Sequence, residues 1–366
     1  MRFLAIALAL ILLAPTQSLA AQGSSDLLKI DDSAQDATFF IQQGIGSYDE
    51  GDFDAAIRAF QKALDLEPNN TYAVYELALT YAAMHEPQIA FDTIKSGLER
   101  GIDEIPELYM LAASSLDDLG RSDEAIDMFI AAIDRFPGDF GIRLNLAISY
   151  MRLNRVAEAR ALLEESVSLE PSHPSGHRIL GTIYGESQEI IPAVLALSYS
   201  AALDRDEDRR RVVVNRIRDL LEGGTTLVND EGALVLSWNA DETVPFSALG
   251  NMLPLLTVGA IEVHSDDGEN LTYLPYADML ALVIAMIDEE AEEPPPHFAN
   301  NYLPYFREMD AAGHGETFAH LILSPLDMQA ARAWLDENTE AVESFSDWVG
   351  QTGLMWPDGN RDQEGI

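Results

Sequence analysis

Small and bulky apolar positions recur in phase along the first half of the chain. Small residues stand at Gly44, Ala78, Ala113, Ala147 and Gly181, and a second set at Ala56, Ala90, Ala125, Ala159 and Ala193. Both series step by 34, 35, 34 and 34 residues, the period of a two-helix repeat. Bulky residues keep the same register at Tyr81, Leu116, Tyr150 and Tyr184, and again at Phe60, Ile94, Phe129, Leu163 and Leu197. The pattern predicts five helical pairs. A small side chain lets the first helix of a pair (helix A) approach the second (helix B), and the other small set lets B approach the next A. One pair cannot bury its apolar face alone, so stacking must make one continuous core. Gly51 and Gly120 fall where A turns into B, where a positive φ is cheap only for glycine. Pro68, Pro137 and Pro171 close three of the units.

These residues resemble the tetratricopeptide-repeat family over roughly residues 37–205. The unit carrying Phe40, Gly44, Ala56, Phe60, Ala63 and Pro68 is the best match, departing at Ser47, where the family prefers an aromatic. The second unit is degraded: His85 replaces the turn glycine, and Gly97 stands where alanine is expected. The resemblance implies an all-α solenoid that binds rather than transforms. It also implies a concave surface lined by the second, fifth, ninth and twelfth places of helix A. On this chain those places are Ile41, Ile45 and Tyr48; Tyr72, Tyr75 and Leu79; Glu107, Met110, Ser114 and Asp117; Leu144, Ile148 and Met151; and Ser175, Arg178 and Thr182. The strip is unusually apolar for positions facing water, as a peptide groove would be. It could equally be filled from within, by residues 24–36 or by the C-terminal half. The lysine-rich clamp of relatives that hold acidic peptide C-termini is missing, with Glu76, Glu107 and Leu111 in its place.

The ends of the chain read differently. Met1-Arg2, the apolar run Phe3 to Ala14 and Ser18-Leu19-Ala20 form a secretory leader, residues 1–20, with cleavage expected after Ala20. A linker, 21–36, would follow. After the repeats, Asp204, Asp206, Glu207 and Asp208 precede Arg209, Arg210, Arg211, Arg216 and Arg218, with an apolar stripe at Val212, Val213, Ile217, Leu220 and Leu221. Residues 206–223 are thus expected to cap the last repeat, their arginines paired with nearby acids. Residues 224–355 lose the period and read as a mainly helical region with a few short strands, before a tail, 356–366. Helices are expected at Phe246 to Val258, Tyr276 to Ile287, Tyr305 to Ala311, up to Glu337 after Ser324-Pro325, and from Asn338 or Thr339 to about Val349. Phe298, Tyr302, Tyr305 and Phe306 would share one buried face, with Trp334, Phe345 and Trp348 against it.

Composition narrows the function. The 62 acidic and 22 basic residues give a formal net charge of −40. Phosphate binding needs a basic stripe, so nucleic acid is excluded as a partner and anionic membranes are disfavoured. No cysteine is present, which removes disulfides, thiol catalysis and cysteine-ligated metals. No nucleophile elbow, phosphate loop or dinucleotide fingerprint occurs. The only metal-like spacing is His314, Glu316 and His320, whose outer pair does not share a helical face. The expectation is therefore an exported, non-catalytic adaptor without a cofactor or stable membrane insertion, holding a protein or peptide partner. An enzyme with an active site in residues 225–350, around Asp310, His314 and His320, and a structural envelope spacer are the alternatives.

Overall fold

The computed structural model describes residues 36–222, 225–226, 235–236, 276–290, 296–325 and 328–352. Among the described residues the fold is all-α but for one two-residue antiparallel pair, β1 (Thr225–Thr226) with β2 (Val235–Leu236). It divides into two compact units, Met1–Leu162 and Leu163–Ile366. The expected leader, linker and tail and the Phe246 to Val258 helix lie outside the described residues, save Asp36.

Five helical pairs follow the predicted phase: α1 (Ala37–Asp49) and α2 (Phe53–Leu66), α3 (Thr71–Ala83) and α4 (Pro87–Glu99), α5 (Pro106–Asp118) and α6 (Ser122–Arg135), α7 (Phe140–Arg152) and α8 (Val156–Leu169), α9 (Pro174–Glu186) and α10 (Ile190–Leu203). Each helix A starts at a side-chain cap or a first-turn proline. Asp36, Asn70 and Asp139 accept the backbone N–H three residues on, at 2.9, 3.0 and 2.9 Å, and Pro106 and Pro174 open the other two.

Both small-residue sets are buried, and the close approach they permit is measurable. A Cβ added to Gly44 would lie 2.5 Å from the Phe60 ring, and one added to Gly181 would lie 2.7 Å from Leu197 Cγ. Every A-to-B turn contains one left-handed residue: Gly51 (φ 78°), His85 (59°), Gly120 (72°), Asn154 (57°) and Gln188 (62°). The degraded second unit therefore keeps the family geometry and carries the strain on a non-glycine residue.

In the second unit, α11 (Glu207–Glu222) buries Val213, Val214, Ile217, Leu220 and Leu221 and packs on α10, as a cap should. Val212, placed in that stripe by sequence, is instead 53% exposed; the buried face runs through Val214. Arg209 pairs in a fork with Asp204 at 3.0 and 2.9 Å, and Arg211 and Arg218 bond Asp208 and Asp219. The cap is not the whole cover. Helices α12 (Tyr276–Glu290), α13 (Pro296–Asn301), α14 (Leu303–Ala311), α15 (Gly315–Leu323), α16 (Met328–Glu337) and α17 (Thr339–Thr352) build a second core, with α12 against α11 and α15 against α10. Helix α10 is buried on every side from Ile191 through Ala201, unlike the amphipathic α2.

The aromatic face at residues 298–306 exists across a break. Tyr302 separates α13 from α14, yet Tyr302 N–H donates to Phe298 O and Phe306 N–H to Tyr302 O. Phe298, Tyr302, Tyr305 and Phe306 are all buried. Trp348 packs on Tyr305 and Phe345 on Phe318, whereas Trp334 departs from the expected cluster and stacks on His320.

Candidate binding groove

The first unit sets the helix-A faces of four repeats side by side, α1 against α3, α3 against α5 and α5 against α7. Lateral bonds tie these faces together. Asn145 Nδ2 donates to Met110 Sδ at 3.5 Å, Ser149 Oγ donates to the Asp117 carboxylate, and Arg152 lies 3.4 Å from the same carboxylate. Of the residues singled out from sequence, Ile41, Ile45, Tyr48, Leu79, Met110 and Ser114 are half-buried, and Tyr72 is 47% exposed. Tyr75, Leu144, Ile148 and Met151 are each 8% exposed or less. These four are therefore part of the packed interior of the array, while the half-buried members of the strip remain partly open. Tyr72 stands at the edge of a shallow cleft of about 620 Å³ lined by Glu67 to Tyr72, Glu104 and Ile105. Arg100 braces its wall by donating to the Pro68 carbonyl at 2.9 Å.

The strip is also acidic, which the apolar count concealed. Glu76 is buried at 4% exposure beside Tyr75. Burial, reinforced by Glu76, Glu107 and Tyr48, pushes the Tyr75 hydroxyl above the usual phenol range, so it remains a hydrogen-bond donor. Burial likewise raises Glu107, against a bond from its own backbone and with help from Asp139. Glu107 Oε2 and Asp117 Oδ1 are shut off from solvent with no hydrogen-bond partner. Buried acceptors of this kind cost roughly 1–3 kcal/mol each when left unmet.

Arg178 and Thr182 belong to the second unit. Thr182 Oγ1 donates to the Arg178 carbonyl, and the Arg178 guanidinium reaches Ser175 Oγ. Burial lowers the Arg178 pKa, which Asp204 opposes. Thus these two residues take part in the packing of α9. Sequence reasoning passed over His177, which is fully buried one residue away. Its Nε2 lies 2.8 Å from the Pro171 carbonyl and its Nδ1 2.8 Å from the Tyr302 hydroxyl. A carbonyl only accepts, so Nε2 carries the proton and Tyr302 donates to Nδ1. Nearby, the Tyr184 hydroxyl bonds His297 Nε2, and Asn301 bonds Ser168 at 3.3 Å. These polar bonds lock α13 onto the fifth repeat. His314 opens α15 and packs on Phe345 and Trp348, and Asp310 is exposed at the end of α14. Among the described residues, no helix is long and apolar enough to cross a membrane.

Comparison with known proteins agrees with this geometry. Two family models match, one described as a tetratricopeptide repeat over residues 110–176 and one as a TPR repeat over residues 47–84. The TPR repeat-containing protein YvcD of Bacillus subtilis (strain 168) is 26% identical over 188 residues, 43% of this chain and 39% of that protein. The type IV pilus assembly protein PilF of Pseudomonas aeruginosa is 25% identical over 176 residues, 47% of this chain and 69% of that protein. Among solved structures, Pseudomonas aeruginosa PilF aligns with a TM-score of 0.44 at 21% identity, over 51% of this chain and 84% of that one. YrrB, described as a TPR protein with an unusual peptide-binding site, aligns at 0.38 and 17% identity, over 50% and 92%. The repeats of this chain are tetratricopeptide repeats, a class of protein-interaction scaffold.

Proposed function

We propose that this protein is an exported, non-catalytic adaptor whose first unit holds an extended segment of another envelope protein along its helix-A groove. The observation that carries the reading is the composition of that groove. An apolar layer of Tyr75, Leu144, Ile148 and Met151 lies beside two buried carboxylate oxygens without donors, on Glu107 and Asp117. Apolar side chains of a partner would pack on the half-buried Ile45, Tyr48, Leu79 and Met110 of the same helix-A faces, and a lysine or arginine would pair with the half-buried Glu107 carboxyl. The net charge of −40 favours the same partner at longer range. An acidic C-terminal peptide is the opposite of what the groove fits. The N-terminal leader is the support for export.

Fluorescence polarisation with designed peptides tests the recognition. Peptides alternating apolar and basic residues are expected to bind, and their affinity to weaken with salt and in Glu107→Gln. Equal binding of the charge-reversed peptides, or no effect of Glu107→Gln, would refute the electrostatic part of the reading. Mass spectrometry of the protein recovered from the envelope fraction tests export: a mature N-terminus at Ala21 is expected, and an intact leader on soluble protein would contradict it.

A further inference from the structure

The second unit holds a cluster that neither the repeats nor the groove uses. Helix α12 presents Asp278 from its first turn, and α15 presents Glu316 and His320, four residues apart and so on one helical face. The two helices pack against each other. One donor atom from each residue falls within 4.8 Å of the other two, and Asp278 Oδ1 lies 3.8 Å from His320 Nε2. That separation is too long for a hydrogen bond.

His320 makes the cluster more than a group of acids. It is 8% exposed, and its Nε2 is closed to solvent, has no hydrogen-bond partner among the described residues and lies towards the Asp278 carboxylate. The ring lies flat on Trp334, 4.0 Å between centroids and 9° between planes, which fixes the direction of its lone pair. Burial lowers the imidazole pKa against the pull of Asp278 and Glu316, so the neutral, ligating form is favoured. Burial and Glu316 raise the Asp278 carboxyl, a repulsion that a cation would relieve.

We propose that Asp278, Glu316 and His320 bind a divalent first-row transition-metal ion such as zinc. One imidazole and two carboxylates suit a borderline ion, whereas calcium and magnesium prefer all-oxygen sites. Bonds of about 2.0–2.2 Å place ligand atoms roughly 3–3.5 Å apart, so the site closes by a small shift of the half-buried Asp278 carboxylate and a rotation of the exposed Glu316 side chain. Three protein ligands leave a position open to water or to another molecule. The sequence spacing of His314, Glu316 and His320 argued against a metal site; the fold brings Asp278 from a separate helix to Glu316 and His320 instead.

The test uses the full mature chain, stripped with a chelator and titrated with zinc by calorimetry in excess magnesium, which occupies the acidic surface. One zinc ion per chain is expected, with affinity falling about tenfold or more in Glu316→Gln and in Asp278→Asn. Cobalt should give ligand-field absorption and quench fluorescence, with the quenching reduced in Trp334→Phe. Glu316 is exposed, so its substitution leaves folding intact and keeps the test decisive. No stoichiometric zinc, or zinc affinity unchanged by both substitutions, would overturn the assignment.

Discussion

Mild acid should loosen the second unit through one residue, His177. Its burial, with a smaller contribution from His173 and opposed by the bond to Pro171, lowers its pKa from 6.5 to about 4. The native state therefore holds the neutral ring, whereas the unfolded chain takes up a proton below pH 6.5. Stability is complete above that pH and is lost as pH falls from about 6.5 to about 4. Between pH 7.5 and pH 5 the shift is worth about 2 kcal/mol at 1.36 kcal/mol per pH unit, against a domain stability of roughly 5–15 kcal/mol. Urea titrations report it, because all four tryptophans, at 238, 334, 348 and 356, lie in the second unit. At a slope of about 2 kcal/mol/M, the midpoint should fall by roughly 1 M. Burial also lowers His173, His314 and His320, which add loss of the same sign. The decisive quantity is thus the difference between wild type and His177→Gln, which lacks the titrating ring. If the variant loses as much stability as wild type over this pH range, the reasoning fails.

Four further outcomes follow from the packing. His85→Gly should stabilise the first unit by about 1 kcal/mol, since His85 is exposed and held at φ 59°; thermal melts would show it, and a lower melting point would contradict it. Gly181→Ala should cost about 1–3 kcal/mol, because its Cβ would meet Leu197 Cγ at 2.7 Å and the Leu197 backbone at 3.2 Å. Gly46→Ala, with nothing within 4 Å, should instead gain roughly 0.5–1 kcal/mol in the same denaturation assay. Tyr302→Phe should destabilise the second unit by about 1–3 kcal/mol by leaving His177 Nδ1 without its donor; an unchanged urea midpoint would place the lock elsewhere.

The array was legible because its geometry repeats. The same small residues, caps and turn positions recur, and even His85, Asn154 and Gln188 take the conformation that Gly51 and Gly120 announce. What did not repeat was harder to read. The C-terminal helices dock on the fifth repeat through single polar locks, His177 with Tyr302 and Tyr184 with His297, and no period announces such pairs. One signal was available. The run "IIPAVLALSYSAAL" in α10 is apolar all round, which marks a helix covered on every side rather than a repeat helix half in water. The cap α11 alone would leave Tyr184 without Phe298, and Tyr199 without Tyr302 and Tyr305. The apolar character of the helix-A strip was legible, but the buried acceptors among it, on Glu107 and Asp117, are properties of packing. Asp278 was invisible as a partner of His320 because only the contact of two separate helices joins them.

The adaptor reading is tested most directly by site-specific photo-crosslinking in the intact envelope. A photoreactive phenylalanine analogue replaces exposed Tyr72 at the groove edge, or half-buried Tyr48 within it. In a control it replaces Ile130, 45% exposed on α6, a helix B. The account predicts one recurrent partner adduct from the two groove positions and none from Ile130. The crosslinked peptide should be apolar with a basic residue. Adducts at all three positions alike, or none from the groove, would contradict it.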